Sequence, residues 1–180
     1  MKRNQVLMPA FAFTALMLMS TVKANAQDAP KLSDPEVASV AVVANQIDIS
    51  YAEIAKKKSK DAEVLKFAQT MINDHKAVIA QAAALVKKLG VEPKDNAVSK
   101  KLLADAEKTK KSLQSKSGEA FNTAYVDNEV AYHKAVIDAV ESLLIPETEN
   151  AELKSLLQNV VPALKAHLAH AEMLQKNRNK

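Results

Sequence analysis

Residues 61–90 read DAEVLKFAQTMINDHKAVIAQAAALVKKLG and carry the clearest structural signal in the chain. Seven apolar residues and one histidine recur there at alternating steps of four and three, at Val64, Ala68, Met71, His75, Val78, Ala82, Leu85 and Leu89. This spacing puts the eight side chains on one face of an α-helix. Gly90 suits the left-handed conformation that commonly ends a helix. The stretch therefore predicts a long amphipathic helix with one polar residue, His75, on its apolar face.

Three other long segments show the same apolar repeat. The first begins at a capping box formed by Ser33 and Glu36 and continues to about Lys58. The other two cover residues 119–144 and 150–176. A Lys-rich, mildly amphipathic segment at 97–115 predicts a shorter helix. The sequence thus predicts four long helices and one short helix.

The connections between these helices predict their arrangement. Only a few residues join the first long helix to the second, and the third to the fourth, so each pair should form an antiparallel hairpin. Residues 91–118 separate the hairpins, and at ~1.5 Å per residue their helix spans about 27 Å, most of the length of the bundle. We therefore predict an all-α, ferritin-like four-helix bundle of two antiparallel hairpins, with the shorter fifth helix in the long crossover.

The first 26 residues have the pattern of a secretory signal peptide. Lys2 and Arg3 precede an apolar run from Val6 to Met19, and residues 24–26, Ala-Asn-Ala, supply the small-residue cleavage motif. The run is shorter than the ~20 residues of a membrane span. We expect cleavage near Ala26, a periplasmic or secreted protein, and no transmembrane span after cleavage. The predicted parts are a signal peptide at 1–26, a linker at 27–32, the bundle at 33–176 and a frayed tail at 177–180.

Composition excludes several classes of function. The 180 residues include no Cys and only 2 Gly, which argues against disulfides, thiol nucleophiles and Gly-rich phosphate loops. Without the signal peptide the 25 basic residues become 22 against 21 acidic ones, so the net charge falls from +4 to +1. A nucleic-acid partner is therefore not expected. No Ser shares the His face with a suitable base, so we favour a non-enzymatic protein, with an envelope component or another protein as candidate partner.

Polar side chains interrupt the predicted core at a single depth. His75, His133 and His167 each lie mid-helix on the apolar face of a different helix, and Glu129 precedes His133 by one turn. Asp48 on the first helix approaches the same level. An unpaired buried polar group costs a few kcal/mol, and an unpaired charge costs more. These five residues should therefore satisfy one another or bind a ligand.

Two interpretations of this polar set stay open. Neutral imidazoles and carboxylates are ligands of transition metals, so the set could hold iron, zinc, copper or manganese. Alternatively, the same residues form a network that only fixes the bundle of a non-enzymatic envelope or stress-related binding or structural module. The di-iron motif Glu-x-x-His is absent, because Ile72, Val130 and Leu164 stand three residues before the three histidines.

Other polar residues lie near this set. Asn45 is expected to face His75, and Asp74 and Asp127 lie beside the apolar faces, where they could support a site or face solvent. His170 lies near His167 on the flank of its helix and is expected to be a surface or secondary residue rather than a ligand.

Four motifs resemble a known bacterial family. They are NQIDISYAEIA from Asn45, FAQTMINDH from Phe67, DNEVAYHKAV from Asp127 and PALKAHL from Pro162. These motifs are similar to the exported family called domain of unknown function 4142, over about residues 34–175. The resemblance implies a ferritin-like bundle and export, and it implies no settled activity. The family's Asp-His, His and Pro-x-x-x-x-His positions correspond here to Asp74, His75, His133, Pro162 and His167.

Overall fold

The computed structural model describes residues 31–178, so the predicted signal peptide and linker residues 27–30 lie outside it, as do residues 179 and 180. Within that range the elements are α1 (Asp34–Lys58), α2 (Ala62–Leu89), α3 (Ala97–Gln114), α4 (Gly118–Ala139), a π-helical turn (Val140–Leu144), α5 (Ile145–Glu147) and α6 (Ala151–Arg178). Residues 31–178 contain no strand. None of these helices is both long enough and apolar enough to cross a membrane.

Local sequence explains where the helices begin and end. The Ser33–Glu36 capping box starts α1, and the Asp61 carboxylate accepts hydrogen bonds from two backbone N–H groups at the start of α2. Gly90 ends α2 with φ of 64°, in the left-handed region that favours glycine. The predicted boundaries of α1, α2 and α3 therefore agree with the structure to within a residue or two.

The helices pack as the two predicted hairpins. Contacts are most extensive between α1 and α2 and between α4 and α6. α2 also packs against α6, and α1 against α4, so the four long helices close a ring. The crossover helix α3 lies along α1 and touches α4. The prediction of an all-α bundle is confirmed, with two hairpins joined by a long crossover that carries α3.

Three local features differ from the sequence-based expectation. Residues 145–147, expected in a turn, remain helical after a π-helical turn. The wider turn accommodates Pro146, which has no N–H to donate. At the C-terminus, α6 extends two residues into the segment expected to fray, because Arg178 pairs with both Asp61 and Glu119. Leu32, expected in the linker, is buried, and its N–H donates to the Glu147 carboxylate at 3.3 Å.

Two apolar clusters fill the interior, one toward each end of the bundle. The first includes the N-terminal half of α2, where Val64, Phe67 and Met71 are fully buried. The second is built on α1, α4, the π-helical turn and α6, and α2 adds only the partly buried Leu85. The polar residues predicted on the apolar faces lie between the two clusters.

Candidate metal centre

The structure brings the five predicted residues together inside the bundle. Each of the four long helices contributes: Asp48 from α1, His75 from α2, Glu129 and His133 from α4, and His167 from α6. All five side chains are buried, with exposed fractions between 0% and 7%. The ring centroids of the three histidines are 5.3, 5.5 and 5.8 Å apart. The three imidazoles thus form a compact triangle at mid-bundle.

Each imidazole has one nitrogen fixed by an oxygen acceptor. Nδ1 of His75 donates to Oδ1 of Asn45 at 2.7 Å, and the Asn45 amide is itself held because its Nδ2 donates to the Ala41 carbonyl. Nδ1 of His133 donates to the backbone carbonyl of Glu129 at 2.9 Å. Nε2 of His167 donates to the Asp74 carboxylate at 2.9 Å. Such partners fix the tautomer and orientation of metal-binding histidines.

The other nitrogen of each ring is buried and has no hydrogen-bond partner. These atoms are Nε2 of His75, Nε2 of His133 and Nδ1 of His167. In the neutral tautomer that these acceptors select, each free nitrogen presents a lone pair. The three residues can place one ligand atom each within 4.8 Å of one another. Three buried imidazoles whose nitrogens lie this close together are suited to a transition-metal ion.

Asp48 lies beside two of these lone pairs. Its Oδ2 is 3.5 Å from Nε2 of His75 and 3.6 Å from Nε2 of His133. Both distances are too long for a good hydrogen bond, and neither carboxylate oxygen of Asp48 has a partner. Asp48 can therefore supply an oxygen ligand next to the three nitrogens.

Glu129 completes a second possible ligand group with Asp48 and His133. Its carboxylate is fully buried, neither oxygen has a hydrogen-bond partner, and Oε2 is 3.5 Å from Nδ1 of His133. Since Nδ1 of His133 carries a proton, only Nε2 of that ring can bind an ion. His133 can therefore bind one ion at a time through its free nitrogen, either with His75 and His167 or with Asp48 and Glu129.

Burial sets the charges of the centre. It lowers the pKa of His75 to about 3, an effect that His167 and His133 reinforce, and it lowers the pKa of His133 to about 4. Burial raises the pKa of Asp48 to about 8 and holds that of Glu129 well above its ordinary value, with Asp48 adding to the latter shift. Near neutral pH the metal-free centre thus holds His75 and His133 as neutral imidazoles and Asp48 mostly as a protonated carboxyl group.

The surrounding residues divide into those that join the centre and those that do not. Asn45 accepts a hydrogen bond from His75 and Asp74 accepts one from His167, so both residues support the centre, as the sequence suggested they could. His170 packs edge-to-face on Phe67 at 5.0 Å between ring centroids and lies outside the centre. Asp127 does not join the centre either: at the surface, its carboxylate accepts a hydrogen bond from the side-chain amide of Gln175.

Sequence reasoning missed Tyr125, a fully buried residue on α4. Its pKa is raised well above the ordinary value, chiefly by burial and then by Glu129. Tyr125 stands four residues before Glu129, so the two side chains share one face of the helix. That spacing is the signal that could have found it.

The fold and the centre together define a class: an all-helical bundle whose four long helices enclose buried histidines and carboxylates. The chain belongs to the family described as Domain of unknown function (DUF4142), whose model matches residues 19–174. The resemblance drawn from the four sequence motifs is therefore confirmed at the level of the family. No curated protein and no solved structure matches the chain. Because the family's description assigns no activity, a function has to be argued from the centre itself.

Proposed function

We propose that this protein binds one divalent first-row transition-metal ion at mid-bundle. His75, His133 and His167 would each donate one nitrogen, and Asp48 would supply a carboxylate oxygen. Three imidazoles and one carboxylate form a four-ligand set of the kind that zinc accepts and that copper, iron and manganese can also use. The ion's role would be storage, exchange or structural support, since the proposal includes no turnover.

One observation supports this proposal above the others. Three histidines that can each place a ligand atom within 4.8 Å of the others have one buried, unpartnered nitrogen apiece, while the opposite nitrogen of each ring is held by Asn45, the Glu129 carbonyl or Asp74. A bundle-fixing network would instead use buried polar atoms to satisfy one another. Asp48 lies too far from the two nearest nitrogens for good hydrogen bonds. An ion at the triangle would satisfy the nitrogens, with Asp48 beside two of them as the nearest further oxygen ligand.

The proposed setting is the periplasm or the exterior of the cell. The support is the signal-peptide pattern of residues 1–26, in which basic residues precede a short apolar run and a small-residue motif. Within this proposal the protein is a ferritin-like bundle that uses imidazoles where di-iron members use Glu-x-x-His pairs. A fusion of residues 1–32 to a reporter, compared with a fusion of residues 27–32 alone, tests export.

Metal titration of the purified, metal-stripped protein tests the metal proposal. We expect saturable binding of about one ion per chain, with copper tighter than zinc and manganese weakest. Calcium and magnesium, which prefer oxygen ligands, should bind far more weakly. Equal responses to all of these ions, or a response unchanged after replacing His75 and His167 together, would contradict the proposal.

A further inference from the structure

A large apolar cavity adjoins the metal centre. Its volume is about 370 Å³, and it lies among α1, α2, α3, α4 and α6. His75, His133, His167 and Asp48 line it together with many apolar side chains, among them Val78, Ala82, Val86, Val136, Val160 and Leu157. The polar centre therefore faces an apolar space rather than a packed core.

The cavity exists because the second half of α2 packs loosely. Val64, Phe67 and Met71 in the first half of α2 are fully buried, whereas Val78 and Val86 beyond His75 are only half-buried. α2 and α6 are bridged by the Asp74–His167 hydrogen bond and, farther along, by the Lys88–Glu152 ion pair. Between those bridges the apolar side chains of the two helices line the cavity.

The cavity has the size of a small-molecule site and is partly open to solvent. An engineered apolar cavity of ~150 Å³ already binds benzene, and the present cavity is more than twice that volume. Small-molecule sites have volumes of ~300–1,000 Å³, are mostly apolar and carry a few polar groups. The cavity fits that description.

Volume and length point to the same size of ligand. At ~30 Å³ for each water-sized group, the cavity holds about twelve such groups. Along α2 the lining extends from His75 to Val86, a rise of about 16 Å at ~1.5 Å per residue. An extended chain of about a dozen carbon atoms joined by ~1.5 Å bonds is of comparable length.

The polar end of the cavity indicates the head group. Asn128 lines the cavity, and its buried Nδ2, a group that can only donate hydrogen bonds, has no partner. A metal ion on the three histidines would add positive charge at the same end. Both features favour a head group that accepts hydrogen bonds and binds metals, which a carboxylate does.

We infer that the cavity binds a medium-chain fatty acid of about twelve carbons, with its alkyl chain among Val78, Ala82 and Val160 and its carboxylate at the histidine centre. Binding of the chain depends on the cavity alone, whereas the contribution of the carboxylate rests on the proposed metal function.

Dodecanoate and dodecan-1-ol are suitable probes, titrated by calorimetry into metal-free and zinc-loaded full-length protein. Ala82→Phe and Val78→Phe each place a ring in the cavity from separate positions. Ala84→Phe is the matched control, because Ala84 is exposed on the same helix and does not line the cavity. Circular dichroism and zinc titration of every variant verify that the bundle and the centre are intact.

Dodecanoate should bind wild type and Ala84→Phe with one saturable site, and each of the two filling variants should bind it at least about tenfold more weakly. Zinc should tighten dodecanoate binding and leave dodecan-1-ol binding unchanged. The inference is overturned if wild type shows no saturable dodecanoate binding, or if both folded filling variants bind it as wild type does.

The outcomes separate the two proposals. If zinc binds but does not change the ratio of dodecanoate to dodecan-1-ol affinity, the assignment of the carboxylate to the centre is wrong. If no metal binds and metal-free wild type still takes up dodecanoate in a manner sensitive to Ala82→Phe, the proposed function fails and the cavity assignment stands.

Discussion

Replacing His133 with Leu separates a metal centre from a bundle-fixing network. In the metal-free protein His133 is almost fully buried, and its Nδ1 makes one hydrogen bond to a carbonyl of its own helix. Losing that bond costs about 1 kcal/mol, whereas removing the buried, unpartnered Nε2 relieves about 1–3 kcal/mol. Leu also keeps most of the buried volume. We therefore expect the metal-free variant to be as stable as wild type, within about 1 kcal/mol.

The stability that zinc adds should fall sharply in His133→Leu, unlike the stability of the metal-free protein. At a zinc concentration 100 times the wild-type Kd, binding adds about 2.7 kcal/mol to the free energy of unfolding. For a domain of this size that stabilisation raises the Tm by about 5–10 °C. If losing one of three nitrogen ligands weakens binding about a hundredfold, the same zinc concentration adds only about 0.4 kcal/mol to the variant. The zinc-induced rise in Tm should then nearly disappear.

Thermal unfolding with and without zinc measures both quantities. The matched control is His170→Leu, because His170 lies on α6 outside the centre and packs against Phe67. This control should keep the full zinc-induced rise. An unchanged zinc effect in His133→Leu would refute the metal proposal, and a metal-free variant destabilised by several kcal/mol would show that His133 is a structural network member.

Three further predictions follow from the geometry. Asp74→Ala should weaken metal binding about 10–100-fold because Asp74 orients His167, while Asp127→Ala, its surface control, should leave the affinity unchanged in calorimetric titration. In denaturant unfolding across pH 7.5–8.5, the metal-free protein should lose stability as pH rises, by up to about 1.4 kcal/mol per pH unit from Asp48. The sign follows because folded Asp48, with its pKa near 8, keeps a proton that the unfolded chain has released, while His75 and His133 are almost wholly neutral in both states above pH 7.5. A rise in stability over this range would contradict the burial argument. Gly90→Ala should lower the free energy of unfolding by about 1 kcal/mol, since φ at Gly90 is 64°, and no loss in urea unfolding would contradict the role of Gly90 as a left-handed cap.

The bundle was predictable because its signals are local and repeated. Apolar spacing, the Ser33–Glu36 box and Gly90 define helices without knowledge of any partner, and the lengths of the connections then restrict the topology. The common depth of the three histidines followed from counting residues back to each turn. Asp48 and Glu129 could be placed near them by the same count.

Other features depend on the three-dimensional packing and could not be read from spacing. Val78 and Leu85 occupy apolar positions of the predicted second helix and yet are only half-buried, because that part of α2 packs loosely against the bundle. The choice of free nitrogen on each histidine depends on side-chain partners such as Asn45 and Asp74. The cavity and the orientation of the centre therefore emerge only from the assembled structure.

Elemental analysis of the protein, purified without a His tag and without chelators, tests the central claim most directly. We expect about one equivalent of a single transition metal per chain. That metal should be lost from His75→Leu and His167→Leu and retained in His170→Leu. Absence of metal from the wild-type protein, together with no change in Tm on adding iron, copper, zinc or manganese, would contradict the account.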